Sequence, residues 1–255
     1  MSGRSFKGDI YIGFIKDGEF TGYLPEILNV DDLSFTPAES ESQDRISRKR
    51  VTDGQTLDSY SQATGATTMS LTTDEMLPEI LAAALLGDAV DVDIDTDTVT
   101  KEKITLYHGR WSKLENVNIE ADGFSVEESG GGDTYVKDTD YKVDRRTGFI
   151  MAIAGGGIDD GDEVQVDYGH KKLTGFKITG QTVGDVRCRI YGDMEDRVTG
   201  RRGELVVHDV RFRPSEAVNL MLPEGFIEAA LEGRVITPTG EDGPFTFREI
   251  EIVDD

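Results

Sequence analysis

The residues best spaced for chemistry are Asp91-Val-Asp93-Ile-Asp95-Thr-Asp97, followed by Glu102. Carboxylates at positions 1, 3, 5 and 12 match the ligand spacing of a calcium-binding helix-loop-helix loop. Two features depart from it: position 6 is Thr96 where the sharp turn needs glycine, and Lys101-Glu-Lys-Ile-Thr-Leu-Tyr107 has the composition of a strand. Asp alternating with Val and Ile equally suits the solvent face of an edge strand. A calcium-dependent β-sandwich adhesion or binding module is therefore the alternative function to hold in view.

Other chemistry is sparse. His108, His170 and His208 lack metal-ligand spacing. His208 falls in phase with Val206, Val210 and Phe212, which predicts a half-buried strand histidine. Cys188 shares a face with Val186 and Ile190 and is expected to be a small buried hydrophobe. Gly155-Gly-Gly157 leads into Ile-Asp-Asp with no helix signal, so it does not resemble a phosphate-cradling loop, and no serine sits in a G-x-S-x-G turn. No enzyme, cofactor or metal is expected from these residues.

The densest basic cluster is Arg45-Ile-Ser-Arg48-Lys49-Arg50. It admits two readings: a solvated loop neutralised by Glu39, Glu41 and Asp44, or an arm that meets an acidic face on a neighbouring copy.

The elements that would position these residues are mostly strands. Alternation with period two recurs at Ile10/Ile12/Phe14, Met69/Leu71, Phe124/Val126, Val164/Val166/Tyr168, Val186/Cys188/Ile190 and Val206/Val210/Phe212. Asp144-Arg-Arg-Thr-Gly148 predicts a hairpin turn, with glycine at the positive-φ corner. One helix is expected. It has an N-cap at Thr72 or Thr73, acids at Asp74 and Glu75, an apolar stripe of Met76, Leu77, Ile80, Leu81, Ala84 and Leu85, and a stop at Gly87. Pro78 fits only near its first turn. The fold class is mainly β, with the helix lying against a sheet.

Charge limits the partners. The 255 residues carry 50 Asp+Glu against 27 Lys+Arg, a net charge of −23. That balance opposes gripping phosphate backbones or anionic lipid. No stretch is apolar enough to span a bilayer, and the first residues lack a secretory signal, so a cytoplasmic origin is expected. Residues 88–170 hold 20 acids and 8 bases, about half the excess charge, and predict an inserted acidic β-rich subdomain. Its expected span is 93–171, with 1–92 plus 172–255 forming a discontinuous core. The strand at Glu163–Tyr168 belongs either to that insertion or to the core sheet.

The order of features resembles the major tail tube proteins of long, non-contractile bacteriophage tails. The carrying segments are Leu33-Ser-Phe-Thr-Pro-Ala-Glu-Ser-Glu-Ser-Gln-Asp-Arg45, Tyr60-Ser-Gln-Ala-Thr-Gly65, Met69-Ser-Leu-Thr-Thr-Asp-Glu75 and the helix ending Leu85-Leu-Gly87. Tyr135 to Gly148 and Ile158 to Tyr168 are similar to a hairpin unit of phage tail proteins, and Val210 to Pro214 with Phe226 to Val235 to the family's C-terminal strands. The resemblance implies two packed antiparallel sheets (a tail-tube β-barrel or sandwich) with one flanking helix. It implies hexameric rings stacked into the tube through which the genome passes without specific binding. Tape-measure, terminator and tip proteins would be further partners, and the virion the location. The loop reaching the adjacent ring would be roughly Phe35 to Tyr60, which makes Arg45, Arg48, Lys49 and Arg50 candidate inter-subunit contacts. The ring-lining residues are expected to be net acidic, so that DNA phosphates are repelled.

Overall fold

The computed structural model describes residues 3–250. In chain order the strands are β1 (Phe6–Lys16), β2 (Glu19–Tyr23), β3 (Val30–Thr36), β4 (Ser40–Ile46), β5 (Thr56–Ala63) and β6 (Thr68–Thr73), followed by helix α1 (Pro78–Ala84). Next come β7 (Asp88–Ile94), β8 (Asp97–Thr105), β9 (Ser112–Lys113), β10 (Ser125–Glu128), β11 (Tyr141–Asp144), β12 (Phe149–Ala152) and β13 (Glu163–His170). The chain ends with β14 (Leu173–Thr179), β15 (Val186–Asp196), β16 (Arg202–Pro214), β17 (Ala229–Val235) and β18 (Phe245–Ile250). The protein is mainly β, its paired strands run antiparallel, and α1 is its single helix among the described residues.

Two compact units share the chain. The first runs up to Val90 and resumes at Ile178; the second is Asp91–Lys177. Strands β7 and β14 pair as a two-stranded sheet.

The first unit is built on an eight-stranded sheet in the order β2-β1-β15-β16-β17-β6-β3, with β18 also paired to β16. One face of every strand from β1 to β6 in that order feeds a single core of Ile10, Ile12, Met69, Leu71, Cys188, Ile190, Leu205, Val207, Val210, Phe212 and Leu231. A single sheet can enclose its own face only by curling over. Phe35 of β3 accordingly stacks on Phe245 of β18 at 4.3 Å between ring centroids. Ile80, Ala83 and Ala84 of α1 complete the core.

The alternation expected of β16 is broken by a β-bulge. Cys188 pairs with Val210 but Ile190 pairs with Val207, which leaves one extra residue on β16. The phase therefore changes in mid-strand: Leu205 and Val207 face the core before the bulge, Val210 and Phe212 after it. Val206 and His208 lie on the opposite face and do not share a side with Val210 and Phe212. The expected phase for His208 is thus corrected, although it is half-buried, with Nε2 3.6 Å from a Glu241 carboxylate oxygen.

The helix starts later than its apolar stripe suggested. Leu77 is the N-cap and Pro78 the first helical residue, because proline's fixed φ and missing N–H fit that position. Thr73 Oγ1 accepts from the Glu75 amide and donates to the Asn29 carbonyl, so it organises the preceding turn. At the other end Leu86 takes the left-handed conformation, φ 52°. The Gly87 amide then donates to the Ala82 carbonyl and the Leu86 amide to that of Ala83, a Schellman closure. Gly87 is needed for space: a Cβ there would lie 2.3 Å from the Thr179 carbonyl oxygen.

The second unit holds two three-stranded sheets, β10-β13-β8 and β11-β12-β9. Their shared core includes Leu106, Leu114, Val126, Ile150, Val164, Val166 and Tyr168. Strand β13 pairs with β8 and β10, so it belongs to this unit and not to the large sheet. The β11–β12 turn forms as expected, with Gly148 at φ 73° and its amide donating to the Asp144 carbonyl. The buried Tyr168 hydroxyl donates to Glu102 and accepts from Asn116 Nδ2 at 3.2 Å. Burial, then the Glu102 hydrogen bond, pushes its pKa up to about 12.

Gly87→Ala should lower stability by about 1–3 kcal/mol through overpacking. Gly175→Ala, where the new methyl meets open space, should stay within about 0.5 kcal/mol; urea midpoints of the two variants check this. Raising the Tyr168 pKa above its unfolded value adds stability that is present below pH 10 and lost as pH rises toward about 12. Alkaline melting should therefore steepen over that window in the native protein and less so in Tyr168→Phe.

Candidate functional site

Residues expected to form a loop between the core strands instead form a hairpin. β4 and β5 pair with each other and with no other strand, from Ser40 opposite Ala63 to Ile46 opposite Thr56. All residues of both strands are exposed. A strand that buries neither face has no reason to alternate polar and apolar residues, and Ser-Glu-Ser-Gln-Asp-Arg does not.

The tip is ordered from within. Ser47 is buried, its hydroxyl shares a 2.8 Å hydrogen bond with that of Thr52, and its oxygen accepts from the Lys49 amide at 3.3 Å. The backbone adds Thr52 N–H to the Lys49 carbonyl and Gly54 N–H to the Ser47 carbonyl. This turn displays Arg48, Lys49 and Arg50, with Arg45 on β4 behind them.

None of these four cations has an ion-pair partner among the described residues. No close ion pair joins them to Glu39, Glu41 or Asp44 among the described residues; Asp44 accepts from the Ser59 hydroxyl at 2.6 Å. Val51, 88% exposed, and Tyr60, 63% exposed, add apolar surface to the same hairpin. It presents long cationic side chains and uncovered apolar ones on a ribbon whose two strands pair only with each other among the described residues.

A second feature escapes a sequence reading altogether. The 14 residues between β16 and β17, 215–228, form no helix or strand. Phe226, expected to open a C-terminal strand, is 81% exposed in this loop, and the strand starts at Ala229. Leu220 and Met221 are exposed beside it, the latter by 94%, while Val218 packs on the core and anchors the loop. Only a run of large apolar residues without period hints at it in the sequence.

A third feature joins residues distant in sequence. Arg211 of β16 stands directly opposite Arg234 of β17, and with Arg213 they line an open groove of about 730 Å³. Like charges opposite each other destabilise a sheet, and only Asp185 and Glu232 among the groove's lining residues oppose them.

The Asp91–Glu102 spacing does not assemble a cation cage. Asp91 and Asp93 lie on β7 and Asp97 and Glu102 on β8. Lys172 Nζ reaches Asp93 and Asp95 at 2.8 and 2.9 Å, and Glu102 accepts from Tyr168 and from the Glu115 amide. Among the described residues no group of three or more His, Cys, Asp or Glu is placed to hold a metal ion. Cys188 is fully buried, and burial pushes its thiol pKa far up, which keeps it unreactive. The buried Asp209 is ion-paired by Arg187. Among the described residues no helix is long and apolar enough to cross a membrane.

Limited trypsin digestion should cut first within Arg45–Arg50. Ser47→Ala should quicken that cut several-fold while lowering the unfolding free energy from urea titration by no more than about 1–3 kcal/mol, the worth of its two hydrogen bonds.

No curated protein matches the chain. A family model does match over residues 4–243, that of the family described as Protein of unknown function UCP028589. The match covers nearly all of the sequence, and the chain belongs to that family.

Proposed function

We propose that this protein is a structural subunit that polymerises into stacked hexameric rings, the tail tube of a long non-contractile bacteriophage tail. The single observation carrying the reading is the β4–β5 hairpin, both of its strands exposed throughout and its four cations without an ion pair among the described residues. An isolated two-stranded ribbon is marginal in water. It becomes worthwhile when a neighbouring copy covers it, and a subunit of net charge −23 offers acidic surface to a basic tip.

Sheet borders support the same reading. β2 and β3 end the large sheet, and no further strand covers their outer edges among the described residues. Open edges invite pairing with other chains, and a closed ring of identical copies turns that liability into architecture. Arg45, Arg48, Lys49 and Arg50 then serve as inter-subunit contacts. The chain acts without catalysis or a cofactor. It is made in the bacterial cytoplasm and resides in the virion, meeting tape-measure, terminator and tip proteins while genomic DNA passes through without specific binding. A net-acidic bore would keep phosphates from sticking.

Negative-stain microscopy of the purified full chain, over a concentration series, should show rings or hollow filaments. Light scattering should rise as salt goes from about 0.01 to 0.15 M, because the long-range repulsion between acidic subunits is screened over that range. Monodisperse monomers at every concentration and salt would refute the proposal.

A further inference from the structure

The most exposed apolar side chains of this protein lie in two segments. Among the described residues, the three large apolar side chains more than four-fifths exposed are Val51, Met221 and Phe226. Val51 belongs to the hairpin tip and the other two to loop 215–228. Both segments lie in the first compact unit, and since both are exposed neither covers the other within one chain.

Their charges are opposite. Residues 45–52 carry Arg45, Arg48, Lys49 and Arg50 with no carboxylate, Asp53 being the next acid. Residues 215–228 carry Glu216, Glu224 and Glu228 with no Lys, Arg or His. None of these cations or glutamates is ion-paired among the described residues. A structureless loop of this length in a compact unit is uncommon and usually functional. Each segment thus presents apolar side chains framed by charge, and each has what the other lacks.

We infer that the hairpin tip of one copy seats on loop 215–228 of a second copy, with Val51 against Met221 and Phe226 and the basic side chains against Glu216, Glu224 and Glu228. This rests on the tube reading and names the acceptor surface within it. The contact is heterologous: tip and loop are different patches, so each subunit donates one and accepts the other, and the contact propagates from copy to copy. β4 alone spans roughly 23 Å for its seven residues, enough for the tip to stand clear of its own sheet. The apolar contacts give the contact its core, and the charges at its rim set which patch is chosen.

Two variants test it in the full-length protein. Arg48→Glu/Lys49→Glu/Arg50→Glu and Glu216→Lys/Glu224→Lys/Glu228→Lys should each weaken self-association by about tenfold or more, and both sets combined in one chain should regain most of the loss. Association by the combined variant no better than by either parent overturns the inference. As a readout independent of those substitutions, Val51→Cys and Met221→Cys chains are mixed and oxidised; Cys188 is buried and does not compete. Crosslinks between the two different chains should dominate over those between like chains. Assembly that proceeds with no such preference overturns the acceptor assignment and leaves the tube reading standing. A wild-type chain that never self-associates removes both.

Discussion

The first unit depends on one long strand. β16, 13 residues, is paired along one edge with β15, and its other edge is divided, Arg202–Val207 to β18 and Val210–Pro214 to β17. No strand can serve two neighbours on one edge without a change of direction between them, and the bulge lies at that division. Its extra residue increases the local twist, so that β17, β6 and β3 swing over and enclose the apolar face of β1 and β15. Asp209, buried inside the bulge, is held by the Arg187 guanidinium, and its carbonyl accepts from the Ile236 amide. A buried carboxylate is tolerable only when paired and hydrogen-bonded, so the Arg187–Asp209 pair sets the price of the turn. Removing one partner should strike the curl of the whole sheet.

A sheet that closes over its own face satisfies its interior and leaves its ends. Strands at the middle of the order have both edges hydrogen-bonded, while β2, β3 and β18 each pair on one edge only among the described residues. The chain leaves β3 directly into the exposed hairpin, and leaves β16 at its far end into loop 215–228. The hairpin therefore follows a strand at the end of the sheet, whereas loop 215–228 follows its fully paired centre. The inner parts are finished: in the second unit the Tyr168 hydroxyl, Glu102, Asn116 and the Glu115 amide consume one another.

What the sequence displays follows from what each segment buries. Met69/Leu71, Val164/Val166/Tyr168 and Cys188/Ile190 have one wet and one dry face, and their alternation gave the strands directly. The turn at Asp144–Gly148 was legible because its geometry needs particular residues. The hairpin's basic tip was visible as composition, but β4 and β5 were not visible as strands, since a segment dry on neither face carries no period. The bulge was hidden for another reason. Two in-phase runs, Leu205/Val207 and Val210/Phe212, abut with a one-residue offset, and Val206 with Val210 mimics a single phase. Arg211 and Arg234 are distant in sequence and meet only through register. Loop 215–228 advertises hydrophobicity, and hydrophobicity alone suggests a core.

Charge and apolar exposure oppose each other at the surface of this molecule. At a net charge of −23, copies repel one another over distances set by the Debye length, about 10 Å at 0.1 M salt. Apolar side chains as exposed as Met221 and Phe226 would otherwise drive indiscriminate clumping. Repulsion raises the barrier for all encounters alike. It is reversed locally only where a basic patch approaches an acidic one, so a cluster such as Arg48-Lys49-Arg50 gains weight out of proportion to its number. A chain with the same apolar surface and no net charge would adhere in many orientations. One with the same charge and no basic exception would remain dispersed. Selective contact requires both, on an arm whose strands are exposed along both faces.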